Sequence, residues 1–155
     1  MASHSIDGAL LTELVTVLPR VQGQLEEAAR KLAEPSSLTA ARWLVLSAVE
    51  CAPASAAQVA RAIGLTRQAV QQTADALEGD GLIQFRANPR HKRAKLIEAT
   101  ALGRQRFAAV QARQIAWANR LAKRLGRASL DASLRGVRAL AAELARDSAR
   151  RPRKT

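Results

Sequence analysis

The stretch from Ser55 to Leu96 places the tightest limits on how this chain can fold. A short amphipathic pattern, SAAQVARAIG, runs into a Gly-Leu-Thr turn and then into a second helical pattern, TRQAVQQTADALE. The next residues, Gly-Asp-Gly, are expected to end the second helix, because glycines readily adopt the left-handed backbone angles found at helix ends. Two short apolar segments then enclose a basic loop. This order predicts a winged helix-turn-helix, a module that presents one helix to the major groove of DNA.

The charge of the chain is distributed unevenly. Residues 1–85 hold 6 basic and 9 acidic side chains, whereas residues 86–155 hold 19 basic and 4 acidic ones. The resulting +15 in the second half favours a polyanionic partner such as nucleic acid. A basic protein that binds membrane surfaces has the same balance, so charge alone does not decide between the two.

Several other classes of protein are disfavoured. The chain has no apolar run long enough to cross a bilayer, and its first residues, MASHSIDG, lack the cationic start and hydrophobic segment of a secretory signal. The single cysteine, Cys51, cannot form an internal disulfide, which suits a reducing compartment. We therefore expect a cytoplasmic protein with no membrane partner.

The sequence also lacks the usual signs of catalysis. It contains no Gly-rich phosphate-binding loop and no nucleophile–base pair at recognisable spacing, so we expect neither an enzyme nor a cofactor. His4, His91 and Cys51 are far apart, and no metal site is predicted from them. Cys51 is interpreted as a small apolar side chain and not as a redox sensor.

An amphipathic pattern precedes the motif. Residues 9–32 predict a long helix because apolar residues recur every three or four positions, and Pro19 predicts a kink within it. Thr39 predicts the N-cap of a second helix over about residues 39–50. The side chains of that helix expected in the core are Trp43, Leu44, Leu46 and Val49.

Two more amphipathic helices are predicted after the motif. Thr100 is expected to cap the first, at about residues 101–125, and Ser129 the second, at about residues 130–147. The apolar stripes of these long helices exceed what a small DNA-binding module can cover. We expect a second copy of the chain to bury them. Such a two-fold dimer presents two recognition helices to half-sites about one helical turn apart.

The predicted fold is therefore mainly α-helical with a small β-wing, a winged helix-turn-helix flanked by dimerisation helices. Residues 1–37 are interpreted as an N-terminal dimerisation helix and residues 38–99 as the DNA-binding domain. Residues 100–147 are interpreted as C-terminal dimerisation helices, and residues 148–155 as a disordered basic tail.

The second helix of the motif carries the candidate base-reading residues. Val70, Ala74 and Leu77 fall on one stripe with Leu65 and are expected to pack inward. The opposite face, which also carries Asp75, is rich in glutamine and arginine. Glutamine can bond bidentately to adenine and arginine to guanine, and a threonine at a helix start can bond a phosphate. The candidate contacts are Thr66, Arg67, Gln68, Gln71 and Gln72.

The loop between the two predicted strands is strongly basic. From Arg86 to Lys95 it holds five basic residues in ten and no acid. At a hairpin tip such a loop is expected to follow phosphates or to insert an arginine into a narrow minor groove, the alternative being a solvated turn. The candidate contacts are Arg86, Arg90, His91, Lys92 and Arg93.

Together these segments resemble the MarR family of bacterial transcription regulators. The resemblance covers about residues 10–147 and rests on three segments: LTAARWLVL, QVARAIGLTRQAVQQTADALEGDGLI and NPRHKRAKLIEATALGR. It implies a homodimeric winged helix that binds a palindromic operator. It also implies that a small anionic or phenolic ligand, bound between the dimer helices and the DNA-binding lobe, releases the DNA.

The resemblance also assigns individual residues. Arg93 matches the wing arginine of the family, but Arg90 and His91 stand where many members have an acid. The usual acidic partner of that arginine is therefore missing, and we expect Arg93 to be free for DNA. The residues that match recognition-helix contacts are Arg67, Gln68, Gln71 and Gln72.

The function predicted from these features is that of a sequence-specific repressor of double-stranded DNA, relieved by a small aromatic or anionic effector. The effector pocket is expected beside Trp43 and Trp117. Two alternatives stay open: a non-specific architectural DNA- or RNA-binding protein, and a helical adaptor that binds other proteins. The low aromatic content disfavours single-strand binding, and the basic wing disfavours the adaptor.

Overall fold

The computed structural model describes residues 5–89 and 94–150 of the 155-residue chain. The chain divides into two compact units, Met1–Arg113 and Gln114–Thr155. The helices are α1 (Ile6–Ala33), α2 (Ala40–Val49), α3 (Ala56–Ile63), α4 (Arg67–Gly79), α5 (Ala101–Leu125) and α6 (Arg127–Arg150). The strands are β1 (Ala54–Ser55), β2 (Ile83–Arg86) and β3 (Leu96–Ala99). None of the helices in the described ranges has both the length and the hydropathy needed to span a bilayer.

Side-chain caps determine where most of these helices begin. The hydroxyl of Ser5 accepts a hydrogen bond from the Gly8 amide, and α1 then runs without interruption through Pro19. Thr39 caps α2 by accepting from the Arg42 amide at 3.2 Å, and the Thr100 hydroxyl accepts from the Gly103 amide at 3.1 Å. The predicted caps Thr39 and Thr100 are thus confirmed.

The predicted cap at Ser129 is wrong. Helix α6 begins at Arg127, directly after Gly126, which has a φ of 77°. Glycine adopts this left-handed conformation at little cost, so the chain changes direction within a single residue. No connecting loop is left, and Ser129 lies inside the first turn of α6.

A three-stranded antiparallel sheet with the order β1-β3-β2 closes one side of the core of the first unit. Ile97 on the central strand is paired with Ala54 on one side and with Phe85 on the other. Strand β1 is not predictable from the sequence, because a two-residue strand is too short to show alternation. The largest fully buried side chains come from α2, α3, α4, β3 and α5: Leu46, Leu77, Ile97, Val45, Val49, Val59, Val70 and Val110.

Two apolar residues expected in the core are not buried. Leu44 is 42% exposed, because it lies two positions before the buried Leu46 and therefore on the opposite side of α2. Leu65 is exposed as well, since it precedes the N-cap of α4 and does not continue the buried stripe of that helix.

The start of α5 is fixed against Gly81 and Leu82, the two residues directly before β2. The Thr100 amide donates to the Leu82 carbonyl at 3.0 Å, and the Thr100 hydroxyl donates to the Gly81 carbonyl at 2.7 Å. Gly103 lies so close to this segment that a Cβ there would be 1.9 Å from the Leu82 carbonyl oxygen. Only glycine, which has no Cβ, therefore permits this approach of α5 to Leu82.

Candidate nucleic-acid interface

The helix-turn-helix is held by local hydrogen bonds. Ser55 and Gln58 form a capping box at the start of α3, in which the Ser55 hydroxyl accepts from the Gln58 amide and the Ser55 amide donates to Gln58 Oε1. Gly64 ends α3 with a φ of 72°. The Thr66 hydroxyl then caps α4 by accepting from the Ala69 amide at 3.1 Å. The turn predicted from the sequence is therefore confirmed, and Thr66 is in addition the N-cap of α4.

Helix α4 has one buried and one exposed side. Val70, Ala74 and Leu77 are completely buried against the core. The candidate contacts, by contrast, are all exposed: Thr66, Arg67, Gln68, Gln71 and Gln72. The core thus holds α4 in place by its apolar side and leaves the polar side free of packing.

The polar side of α4 consists of two stripes, which were not distinguished in the prediction from the sequence. Gln68 and Gln72 form the outer stripe, and no side-chain hydrogen bond joins either to another described residue. The inner stripe lines a groove of about 440 Å³ that separates α4 from the wing residues Phe85 and Lys95. The inner-stripe residues are Arg67, Gln71, Asp75 and Glu78.

One hydrogen bond joins two members of the inner stripe. Gln71 Nε2 donates to Asp75 Oδ1 at 2.8 Å, one helical turn further along α4. Both side chains are exposed, so the bond is formed at the surface that we expect to face DNA. Thr66, at the helix start, keeps a hydroxyl hydrogen that can be donated to a phosphate while its oxygen caps the helix.

The solvent face of the wing carries a small polar cluster. Glu98 accepts a hydrogen bond from Gln84, which lies directly opposite it in the sheet, at 2.6 Å, and pairs with Arg86 at 3.0 Å. The Gln84 hydrogen bond, followed by the Arg86 guanidinium, lowers the pKa of Glu98 below its ordinary value of 4.5. Arg86, a candidate DNA contact, is therefore engaged in an ion pair while remaining mostly exposed.

Neither Gln84 nor Glu98 was predicted from the sequence to be a functional residue. Alternate positions of two paired strands lie on one face of the sheet, so the pairing of Gln84 with Glu98 is predictable in principle. The prediction requires the register of the hairpin, which the sequence does not give directly. On the other side of β2, the Lys95 ammonium lies 5.6 Å from the centre of the Phe85 ring. That contact positions one basic side chain at the edge of the α4 groove.

The remaining predicted contacts of the wing, Arg90, His91, Lys92 and Arg93, lie outside the described residues. Trp43 is half-buried in α2, and its indole Nε1 is enclosed without a hydrogen-bond partner among the described residues. Trp117 is half-buried in α5. The effector pocket expected beside these two residues stays a prediction.

Comparison with known proteins identifies the family. A sequence profile of the MarR family matches residues 36–94, which include α2, α3, α4 and β2. An uncharacterised protein of Mycobacterium tuberculosis is 34% identical over 128 residues, which cover 83% of this chain and 90% of that protein. The chain belongs to the MarR family. It is a DNA-binding transcription regulator with a winged-helix fold, as the sequence analysis predicted.

Solved structures of MarR family members have the same fold. One MarR family transcription regulator superposes with a TM-score of 0.85 at 20% identity, covering 94% of this chain and 97% of that one. The repressor CouR, bound to a 23-mer DNA duplex, is 29% identical with a TM-score of 0.74, covering 90% and 99%. CouR from Rhodococcus jostii has also been solved bound to p-coumaroyl-CoA, at 25% identity and a TM-score of 0.72, covering 83% and 91%.

Proposed function

We propose that this MarR family member is a homodimeric repressor that binds a palindromic operator and releases it when a small ligand binds. The observation that carries the proposal is the state of α4. Its apolar side is fully buried, and its polar side, with one arginine and three glutamines, is exposed. Side chains of these types can hydrogen-bond to base edges. The buried side of the helix fixes their position, so that they can enter the major groove of DNA together.

The wing extends this surface along the DNA. In the proposed complex the residues of α4 contact bases and one phosphate, whereas the basic wing contacts the flanking backbone or minor groove. The similarity in sequence and fold to the repressor CouR, which has been solved bound to a DNA duplex, supports DNA as the partner of this surface. The contacts proposed are Thr66, Arg67, Gln68, Gln71, Gln72, Arg86, Arg90, His91, Lys92 and Arg93.

Exposed apolar side chains support the homodimer. In α1 and in α6, leucines and valines that share one helix side remain 40% exposed or more. Large apolar patches of this kind are characteristic of interfaces, and a closed two-fold arrangement would cover the same stripe on both copies. The side chains concerned are Leu11, Leu14, Val21 and Leu25 in α1 and Leu134, Val137 and Leu144 in α6.

An arginine-lined groove in the first unit supports an anionic effector. It has a volume of about 340 Å³ and includes Arg106 and Arg113 of α5 beside Ser36. Arg113 donates to the Leu32 carbonyl at 2.8 Å and also to the buried Ser36 hydroxyl, so it ties the end of α1 to α5. A ligand carboxylate that competed for this guanidinium would loosen that connection.

Fluorescence anisotropy with labelled duplexes tests the proposal. The protein is expected to bind the promoter region of its own gene at least about a thousandfold more tightly than a shuffled duplex of equal length at physiological salt. Arg67→Ala should remove most of this difference, whereas Arg93→Ala should weaken binding to both duplexes. Equal affinity of the unaltered protein for both duplexes would instead favour the architectural alternative.

The same assay tests the effector. Addition of p-coumaroyl-CoA or free p-coumarate to the preformed complex probes whether an aromatic acid releases the DNA. Release that is weakened in Arg106→Ala would support the groove as its site. Release that is unchanged in that variant would direct attention to Trp43 and Trp117 instead.

A further inference from the structure

We infer that Asp75 is a specificity-determining residue that acts through Gln71, an inference that rests on the proposed reading of DNA by α4. Asp75 holds the Gln71 side-chain amide in one orientation and so determines which bases that amide can hydrogen-bond. The two side chains are joined by the 2.8 Å bond from Gln71 Nε2 to Asp75 Oδ1. Both line the groove between α4 and the wing.

The orientation follows from the chemistry of the two groups. A carboxylate can only accept hydrogen bonds, whereas a glutamine amide has a donating and an accepting end. Gln71 must therefore turn its Nε2 toward Asp75, and its oxygen Oε1 lies on the side of the amide that faces away from Asp75. A glutamine without such a neighbour can rotate its amide by half a turn and present either end.

The fixed oxygen has a consequence for base recognition. In the major groove, adenine and cytosine carry an exocyclic amino group that donates, while guanine and thymine present the acceptors O6 and O4. An amide held with Oε1 outward accepts a hydrogen bond from the amino group of adenine or cytosine. Opposite guanine or thymine, the same oxygen faces another acceptor, O6 or O4. Nε2 keeps a second N–H that can still donate to guanine O6 or thymine O4, so adenine and cytosine are preferred opposite Gln71 without full exclusion of the other two bases.

The same groove supplies a matched control. Glu78 lines it one turn beyond Asp75 and is also exposed, but it makes no hydrogen bond with Gln71. Asp75→Asn and Glu78→Gln each remove one negative charge from the inner stripe. Both should strengthen binding to every duplex by a similar factor, since the loss of a like charge acts on all phosphates regardless of sequence. Only Asp75→Asn allows the Gln71 amide to rotate, because asparagine can donate as well as accept.

A conservative variant serves as the rescue. In α1, Gln22 Nε2 donates to Glu26 Oε1 at 2.9 Å across the same four-residue spacing. Glutamate at the second position thus holds a glutamine amide as aspartate does. Asp75→Glu is therefore expected to retain the orientation of Gln71 and the base preference that depends on it.

The experiment measures base preference at single positions. An operator selected from random duplexes is altered one base pair at a time, and the position whose preference disappears in Gln71→Ala marks the Gln71 contact. At this position the unaltered protein should prefer adenine or cytosine over guanine and thymine by about tenfold. Asp75→Asn should reduce that preference to about twofold or less, while Asp75→Glu and Glu78→Gln should keep it.

Several outcomes would overturn the inference. One is an unchanged preference at this position in Asp75→Asn, and another is an equal loss of preference in Glu78→Gln. A Gln71→Ala variant with normal preference at every position would also remove its basis. By contrast, an unaltered protein that binds all duplexes equally would overturn the proposed function itself, so the two failures are distinguishable.

Discussion

Helices α4 and α6 have similar amphipathic sequences but bury their apolar sides to very different extents. In α4, Val70, Ala74 and Leu77 are completely buried. In α6, Leu134 and Val137 are each 50% exposed, and none of the described side chains of that helix is buried. An amphipathic pattern therefore predicts that one side of a helix is buried, but it does not predict whether the same chain or a partner buries it.

The difference indicates two kinds of partner. Helix α4 needs no further apolar contact, and what it leaves exposed is polar, which suits a polar and charged partner such as DNA. The exposed side of α6 is apolar, which suits a protein surface of the same kind. Substitutions that treat the two helices alike should therefore have different effects.

The largest effect is expected for Leu77→Ala in α4. Leu77 is fully enclosed, so its truncation removes buried apolar contact and leaves a cavity. The free energy of unfolding should fall by about 2–5 kcal/mol. Urea denaturation should show this loss at every protein concentration. Gln72→Ala, at an exposed position of the same helix, should change stability by no more than about 0.5 kcal/mol. A Leu77 variant as stable as the Gln72 variant would contradict the assignment of this core.

The matching substitution in α6, Leu134→Ala, should act on association. Leu134 is half-exposed, so a second copy can bury about half of the side chain. The loss is about 1 kcal/mol per copy and about 2 kcal/mol per two-fold dimer, which raises the dissociation constant of the dimer about thirtyfold. Sedimentation velocity over a concentration series measures this constant.

Arg135→Ala is the control for this association test. Arg135 is exposed on the side of α6 away from the apolar stripe, so its removal should leave the dimer constant nearly unchanged. If both variants dissociate alike, the stripe is not the interface. If the unaltered protein is monomeric at all concentrations, the comparison between α4 and α6 needs a different explanation.

Much of the DNA-binding module could be predicted from the sequence, because its signals are local. Ser55 and Gln58 are three positions apart, Gly64 directly follows α3, and Thr66 directly precedes α4. Each of these residues acts on its own helix end, so its role does not depend on distant parts of the chain. The bond between Gln71 and Asp75 also has a local spacing, and it could have been expected from the four-residue interval.

Other features depend on contacts between distant positions. Gln84 and Glu98 are 14 positions apart and meet only because the hairpin pairs them in one register. The requirement for glycine at position 103 likewise results from a close approach to the Leu82 carbonyl. Neither contact is visible in periodicity, since periodicity reports which side of an element is apolar and not what lies against it.

The smallest expected effect concerns the polar cluster of the wing. It tests whether exposed polar pairs contribute to the stability of the DNA-binding domain. Gln84 first, and then Arg86, lower the pKa of Glu98 below 4.5. A carboxyl group with a lowered folded-state pKa stabilises the fold above its unfolded-state pKa. It loses that contribution as the pH falls through the folded-state value.

Glu98→Gln should therefore lower the melting temperature slightly near neutral pH, and the difference from the unaltered protein should shrink as the pH falls below 4.5. Thermal denaturation over a pH series measures this difference. Gln84→Ala provides the control background, because it removes the main cause of the pKa shift and should weaken the pH dependence of the Glu98 substitution. A difference that stayed constant across the acidic range in both backgrounds would mean that the ionised form of Glu98 does not stabilise the fold. In that case the buried apolar contacts of α4 would stabilise this unit, and the exposed ion pair of the wing would not.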